Sequence, residues 1–547
     1  MEFPMLNPIP TTRQMMDVFG GYDRRPRPAE GTFSGMENLS SRNYPLLSPR
    51  TKRGIHHFYY EGEYQKKVLG FGHCCGFCYA LADGTFHFGG YDQGGVSQFL
   101  DPNTDKILLN MGGRLLIFPD KKWVACAELT KTGIRNNFFG DLENQFQGLA
   151  SCEPADNTLT VTAEDLGLGF AVGDVVELRL DGGEEGVWSS QVQKVGRDFI
   201  TVKQNPEKSL TGDQEKYVII SRKLPKMDLV IECGNRLWGC RYGMSAEGEF
   251  VNAIYCSKLG DPGNWQCFQG VSTDSWEVSL GADGPFTGAA TYLGRPVFFK
   301  ENAIFTVYGS YPAQFQLKSV EAPGVRVGCG ESLATVEDRL YYLGRDGVYA
   351  YDGSLPVQIS QELGHLSGDW AAAGSHNGKY YLSCREGLLV YDTLRQLWHR
   401  EVDGQFCNFL SVEGKLYALT RDRMTIAILA DAREFTDDYV WETVDTAPVS
   451  WLAETGPLGL HTPDAKRITG LTLRLWMDRG SKLKVFVRYD FDRDWECVAA
   501  LAAQNFGSRR IPIHPKRCDH MYLRLEGLGD FRLYSITKTL QEGSELH

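Results

Sequence analysis

The chain has 547 residues, 42% of them hydrophobic and 23% charged, which excludes a disordered polymer and, at this length, a single ordinary core unless a repeat absorbs it. Glycine reaches 60 residues and aromatics 12%, with 25 Tyr and 11 Trp, a balance that favours strands and turns over helices. A formal net charge of −12 argues against nucleic acid or anionic membrane as a partner of the chain as a whole.

The start, Met1-Glu-Phe-Pro-Met, lacks a charged stretch followed by an apolar one, and no segment approaches about eighteen uninterrupted apolar residues. Folding in a cytoplasm is therefore expected. Residues 1–54 are rich in Pro and Arg, carry a net charge of +3 and show no sustained periodicity. They read as an extended arm that lies on something else.

From residue 55 short apolar or aromatic strands alternate with Gly, Asp or Asn turns. The segment from Val336 to Gly353 matches that from His376 to Asp392, and Val412 to Thr420 is a third copy. Weaker copies run from Gly76 to Gly90, Gly112 to Cys126, Gly234 to Arg241 and Leu293 to Gly309. About seven units, the later ones roughly forty residues apart, predict an all-β chain built on a β-propeller of about six to eight blades. The propeller is assigned to residues 55–149 and 223–440.

Residues 150–222 interrupt the repeat with five short strands of their own, expected to form a small inserted β-barrel with turns at Gly173-Asp174 and Asp181-Gly-Gly183. Thirteen acidic and seven basic residues give this insert a net charge of −6, the wrong sign for oligonucleotide binding. After residue 440 strict alternation takes over, as where Leu483, Val485, Val487 and Tyr489 face one way and Lys482, Lys484, Phe486 and Arg488 the other. Residues 441–547 are expected to form an antiparallel β-sandwich.

The chemistry-bearing residues do not assemble into a motif. Most of the fourteen cysteines sit singly in strands and read as small buried hydrophobes. The dense cluster His73-Cys74-Cys75-Gly76-Phe77-Cys78 lacks the second matched pair that a zinc site needs. Gly328-Cys-Gly-Glu-Ser332 has neither a phosphate-loop ending nor the spacing of a nucleophile elbow, and reads as a turn opening a blade. Asp338, Asp346, Asp352 and Asp392 are the carboxylates a propeller glycosidase would draw on, but their recurrence at equivalent positions suits turn-making better. His56, His57 and His73 have no carboxylate at ligand spacing. Trp238, Tyr255, Trp265, Phe268 and Trp276 suit either a sugar-stacking platform or the packing between blades. No catalytic, metal or cofactor-binding residue is assigned, and no enzymatic activity is expected.

Four stretches carry a family resemblance. They are Glu37 to Arg50; Gly234 to Trp238 with Ala253 to Trp265, which contains a Gly-Asp-Pro-x-x-Trp corner; Gly328 to Gly353; and Leu525 to Tyr534. In this order they resemble the tail β-propeller proteins of tailed bacteriophages, the nozzle or hub components of short-tailed phages. The resemblance implies a structural virion component, assembled in the bacterial cytoplasm, whose copies form a ring or tube, six in the short-tailed examples. Such a ring passes DNA without binding it specifically and docks connector or adaptor proteins and fibres. It also implies that an acidic lumen lets DNA slide, and that the basic arm reaches a neighbouring subunit. The alternatives are a glycan-binding module that contacts the host surface and, further off, a propeller glycosidase.

Overall fold

The computed structural model describes residues 11–58, 66–130, 139–155, 157–180, 187–203, 214–245, 248–437, 440–460, 465–490 and 492–542. The expected turn at Asp181-Gly-Gly183 and the first ten residues of the arm lie outside them. The fold is all-β: seven blade sheets in a β-propeller arrangement, a closed six-stranded barrel and a curled sheet. Among the described residues the only α-helix is the four-residue Gly94–Ser97, and no helix is long and apolar enough to cross a membrane. The chain divides into two compact units, Met1–Phe58 with Val327–His547, and Tyr59–Arg326.

The second unit holds four four-stranded blades and the barrel. Each blade is an antiparallel meander, as in Gly288–Tyr292, Arg295–Lys300, Ala303–Tyr308 and Gln316–Glu321. The barrel closes in the order Asn144–Ala155, Thr158–Thr162, Phe199–Lys203, Val187–Val195, Val175–Leu180, Gln214–Arg222. It has a core of its own, containing Leu159, Val161, Val176, Leu178, Ile200, Val218 and Ile220. Its first strand, Asn144–Ala155, is not among the five expected and begins six residues before the expected insert. The segment contains no β-branched residue and carries Pro154 next to its end, so neither composition nor alternation marks it.

The first unit holds the other three blades and the curled sheet. Inner blade strands such as Lys379–Cys384 and Val348–Tyr351 are buried almost throughout, because both of their faces are covered, and so they read as continuous apolar runs. Their hairpins repeat one turn. Asn377 and Gly378 have φ of 48° and 69°, and Glu413 and Gly414 have 52° and 73°, the left-handed pair that matches the twist of two antiparallel strands. The last blade has six strands rather than four. Gly54–Phe58 inserts between Ile426–Ala430 and Val440–Val444, so a strand from the start of the chain completes the sheet near its end.

The expected sandwich takes the form of one curled eight-stranded sheet. Its spine is Lys466–Tyr489, whose first half pairs with Phe531–Glu542 and whose second half pairs with Met521–Leu528. The anticipated alternation is present, with Leu483, Val485, Val487 and Tyr489 all buried.

The N-terminal segment requires a correction. It is extended, but from Thr11 onward it is not an arm that reaches away. Thr11–Met16 pairs with Phe531–Glu542, and Phe33–Glu37 pairs with Ser450–Thr455, so the segment supplies two strands of the curled sheet. Phe19, Phe33, Met36, Leu39 and Leu47 are buried in that sheet's core. The apolar residues are spaced too irregularly to announce a strand, and the partners that order them lie more than four hundred residues away.

Candidate functional site

The residues singled out as candidate chemistry are placed in structural roles. Gly330–Ser332 forms a single turn of 3-10 helix, and the buried Ser332 hydroxyl donates to the Cys329 carbonyl at 2.6 Å and accepts from the Leu343 amide at 3.0 Å. The Ser332 carbonyl accepts from the Tyr380 hydroxyl at 2.7 Å, which ties the fifth blade to the sixth. Asp338 and Asp346 are exposed in hairpin turns. Asp352 accepts from the Ser354 amide at 3.0 Å and shapes its own turn.

Asp392 differs from the other three, because it is buried and fastens the N-terminal segment. It accepts from the Ser41 hydroxyl and from the Arg395 amide at 3.0 Å. Burial raises its pKa, but the Ser41 and Arg395 bonds outweigh that and leave it below the usual carboxylate range. Further ties from the segment are Arg42 to Asp530 at 3.0 Å and Arg53 to Glu401 at 2.7 Å.

His56 does meet a carboxylate. Its Nδ1 lies 3.2 Å from Glu442 Oε1, the Tyr417 hydroxyl donates to the same oxygen at 2.8 Å, and Lys415 binds the other oxygen. Burial of Glu442 acts upward, yet these three partners hold its pKa at about 2. With His56 and Glu442 both buried, the cluster staples strand Gly54–Phe58 into the last blade. Spacing could not show it, since the two residues are 386 positions apart.

The aromatic candidates are mostly core. Trp238 packs against Trp276 and Phe315 at ring distances of 5.9 and 5.2 Å, and donates to the Cys233 carbonyl at 3.2 Å. Trp265 donates to the Pro262 carbonyl at 2.8 Å. Phe268 is 52% exposed.

The Gly-Asp-Pro corner joins the barrel to its neighbouring blades. Asp174, fully buried, accepts from the Asn264 side-chain amide, from the Arg222 guanidinium at 2.7 Å and from the Ala171 amide at 2.9 Å. Gly263 is obligatory for this approach, because a Cβ there would lie 2.4 Å from the Leu142 carbonyl. Beside the corner opens a cleft of about 580 Å³ bordered by Arg114, Trp123, Asp141, Asn144, Arg222 and Asp261. Its charges are largely paired: Asp141 with Lys122, Arg222 with Asp174, and the Arg114 guanidinium 4.8 Å from the centre of the Trp123 ring. Arg222 was not singled out from sequence, and Asp174 was noted only as a turn residue beside Gly173; the distinctive Asp261-Pro-Gly-Asn264 run was the one sign of their joint.

The cysteine cluster gains Cys126, which comes within hydrogen-bonding reach of Cys74 from the second blade. Among the described residues no group of three or more His, Cys, Asp or Glu has the geometry to hold a metal ion.

No protein-family model matches the chain, and no curated protein matches it. Solved structures do. The computationally designed Ika8 protein matches at 11% identity and a TM-score of 0.33, covering 68% of this chain and 98% of its own. PorZ, a component of the type-IX secretion system of Porphyromonas gingivalis, matches at 11% identity and a TM-score of 0.26, covering 81% and 70%. An exo-β-1,3-galactanase of Phanerochaete chrysosporium matches at 11% identity and a TM-score of 0.16, covering 72% and 100%. At such scores these likenesses decide nothing about activity, substrate or partner.

Proposed function

We propose that the chain is a non-catalytic structural component of a bacteriophage tail, of the nozzle or hub kind, which assembles in several copies into a ring that docks other tail proteins. The observation that carries this reading is that the family-like stretches coincide with the fasteners. Ser41 and Arg42 belong to the first stretch, Asn264 to the Gly-Asp-Pro corner, and Ser332 to the third. Each ties a module or a blade to its neighbour. A protein whose distinctive residues serve construction suits a load-bearing assembly. The acidic bulk of the chain suits passage of DNA without adhesion.

The test is electron microscopy of the purified full chain, with and without tail proteins from the same particle. Rotationally symmetric rings with a through-channel are the expected result. A monomer at every concentration and with every tail partner would overturn the reading.

The cleft beside the barrel favours a second reading, in which Trp123, Asn144 and Asp261 contact a surface glycan. Saturable binding of host-envelope oligosaccharide that is lost in Trp123→Ala would select it.

A further inference from the structure

The loop Cys74-Cys75-Gly76 joins strands Val68–His73 and Phe77–Leu81 of the first blade. Cys75 is exposed and sits at φ 78°, a left-handed conformation that glycine would adopt at less cost. Gly76 is confined, since a Cβ there would meet the Phe88 ring at 2.7 Å. The turn is therefore held against the third strand of its blade, with Cys75 at its tip.

Four thiols converge at this point. The sulfurs of Cys74 and Cys75 lie 3.9 Å apart, and Cys75 Sγ lies 3.3 Å from the Cys126 carbonyl. Behind them Cys74, Cys78 and Cys126 are buried and within hydrogen-bonding reach of one another through Cys74. The hydrogen bond with Cys126 favours the Cys74 thiolate, but the bond with Cys78 and burial outweigh it and raise the Cys74 pKa. The Cys126 thiol is pushed up in turn by its bond with Cys74 and by burial. The cluster thus presents one thiol to solvent and keeps three buried thiols behind it.

We propose that this loop is an oxidation site, in which Cys75 reacts with a peroxide and Cys74 resolves the product as a vicinal disulfide. In the first step the Cys75 sulfur attacks the peroxide O–O bond, giving a sulfenic acid and releasing water. In the second, the Cys74 sulfur displaces the hydroxyl from that sulfenic sulfur and loses its proton, so a second water leaves and the S–S bond forms. Two thiols are oxidised and one peroxide is reduced. Neighbouring residues hold their Cα atoms closer than an ordinary disulfide prefers, so the bond is strained and a mild thiol reductant reopens it.

Cys497 is an internal reference, being exposed but outside this cluster. The experiment treats the full chain with hydrogen peroxide, with and without dimedone, and maps tryptic peptides under non-reducing conditions. Cys74, Cys75 and Cys78 fall in one tryptic peptide and Cys126 in another. The expected result is loss of two hydrogens within the first peptide. It persists in Cys78→Ser, disappears in Cys74→Ala and in Cys75→Gly, and reverses with dilute dithiothreitol. Cys74→Ala accumulates a dimedone adduct on Cys75, as Cys497 does in the unmutated chain. Cys75→Gly suits the local backbone, so its loss of signal is not a folding failure. A link to the Cys126 peptide, loss of the signal in Cys78→Ser, or a Cys75 that stays a dimedone adduct in the unmutated chain would each overturn the proposal.

Discussion

The barrel and the curled sheet are both additions to a run of blades, but they are built on opposite principles. The barrel is a closed insertion. Its first and last strands pair at Asn144 and Arg222, its core is its own, and buried polar bonds centred on Asp174 join it to the blade loop that carries Asn264. The curled sheet borrows from both ends of the chain, with strands Thr11–Met16 and Phe33–Glu37 pairing to strands beyond residue 449. A module that closes on itself can be lost with local damage, whereas one woven from both termini depends on each of them.

The sharpest way to break that contrast is to delete residues 1–50, which removes five buried apolar side chains from the core of the curled sheet. At about 2 kcal/mol each, the loss is on the order of 10 kcal/mol, comparable with the whole stability of a typical domain. Insoluble protein, or loss of the cooperative melting transition, is the expected outcome. A soluble deletion variant with an unchanged transition would show that the N-terminal strands merely decorate the sheet.

Asp174→Ala probes the other side of the comparison. It leaves the largely buried Arg222 guanidinium with only the longer 3.8 Å contact to Asp261, at a cost of about 3 kcal/mol. Hydrogen exchange should accelerate around residues 257–265 while the barrel's own strands stay protected. Asp174→Ala combined with Arg222→Met should recover part of the loss, because no uncompensated charge remains. Uniform acceleration through the barrel would mean that its core is not autonomous.

A smaller effect separates the blades from both additions. His399 in the sixth blade is fully buried, and burial, with the Lys379 charge adding to it, lowers its pKa to about 3. Between this value and the ordinary 6.5 the unfolded chain binds the extra proton, so stability is lost as pH falls from about 6.5 toward 3. The slope reaches at most about 1.4 kcal/mol per pH unit. Chemical denaturation between pH 7 and 4 should show it, and His399→Gln should flatten it. Glu442 works lower down: its stabilising ionised form is kept above its unfolded value of 4.5 and lost as pH falls toward 2, a component that Glu442→Gln removes.

The smallest expected effect is at Phe268. Truncation to Ala at this exposed ring should shift stability by less than about 0.5 kcal/mol, whereas Trp238→Ala, buried among Trp276 and Phe315, should cost about 3–5 kcal/mol. Equal melting shifts for the two would refute the division of the aromatic candidates into surface and core.

How much of this was legible beforehand depends on the distance between partners. Each of the seven repeat copies recognised in the sequence falls on the inner strands of one blade, because those strands pair with their immediate neighbours and carry their turn residues between them. Asn377-Gly378 and the Tyr-Tyr-Leu runs are complete local signals. The alternation of Leu483, Val485, Val487 and Tyr489 was legible for the same reason, since one covered face leaves a period of two in the sequence itself. The Asp338, Asp346 and Asp352 turns also carried their own explanation.

Other features had no local trace. Gly54–Phe58 is an unremarkable strand until its partners Ile426–Ala430 and Val440–Val444 are known, and the His56–Glu442 staple exists only because that pairing is made. The sequence by itself determined the β-propeller grammar, the presence of an acidic insert and the change of rhythm after residue 440, all of which rest on contacts a few residues apart. Tertiary structure alone decided that the N-terminal segment is woven into the curled sheet, that Asp174 meets Asn264, and that Cys126 arrives beside Cys74. Each of these joins residues whose separation along the chain no periodicity can encode, and packing in three dimensions selects them.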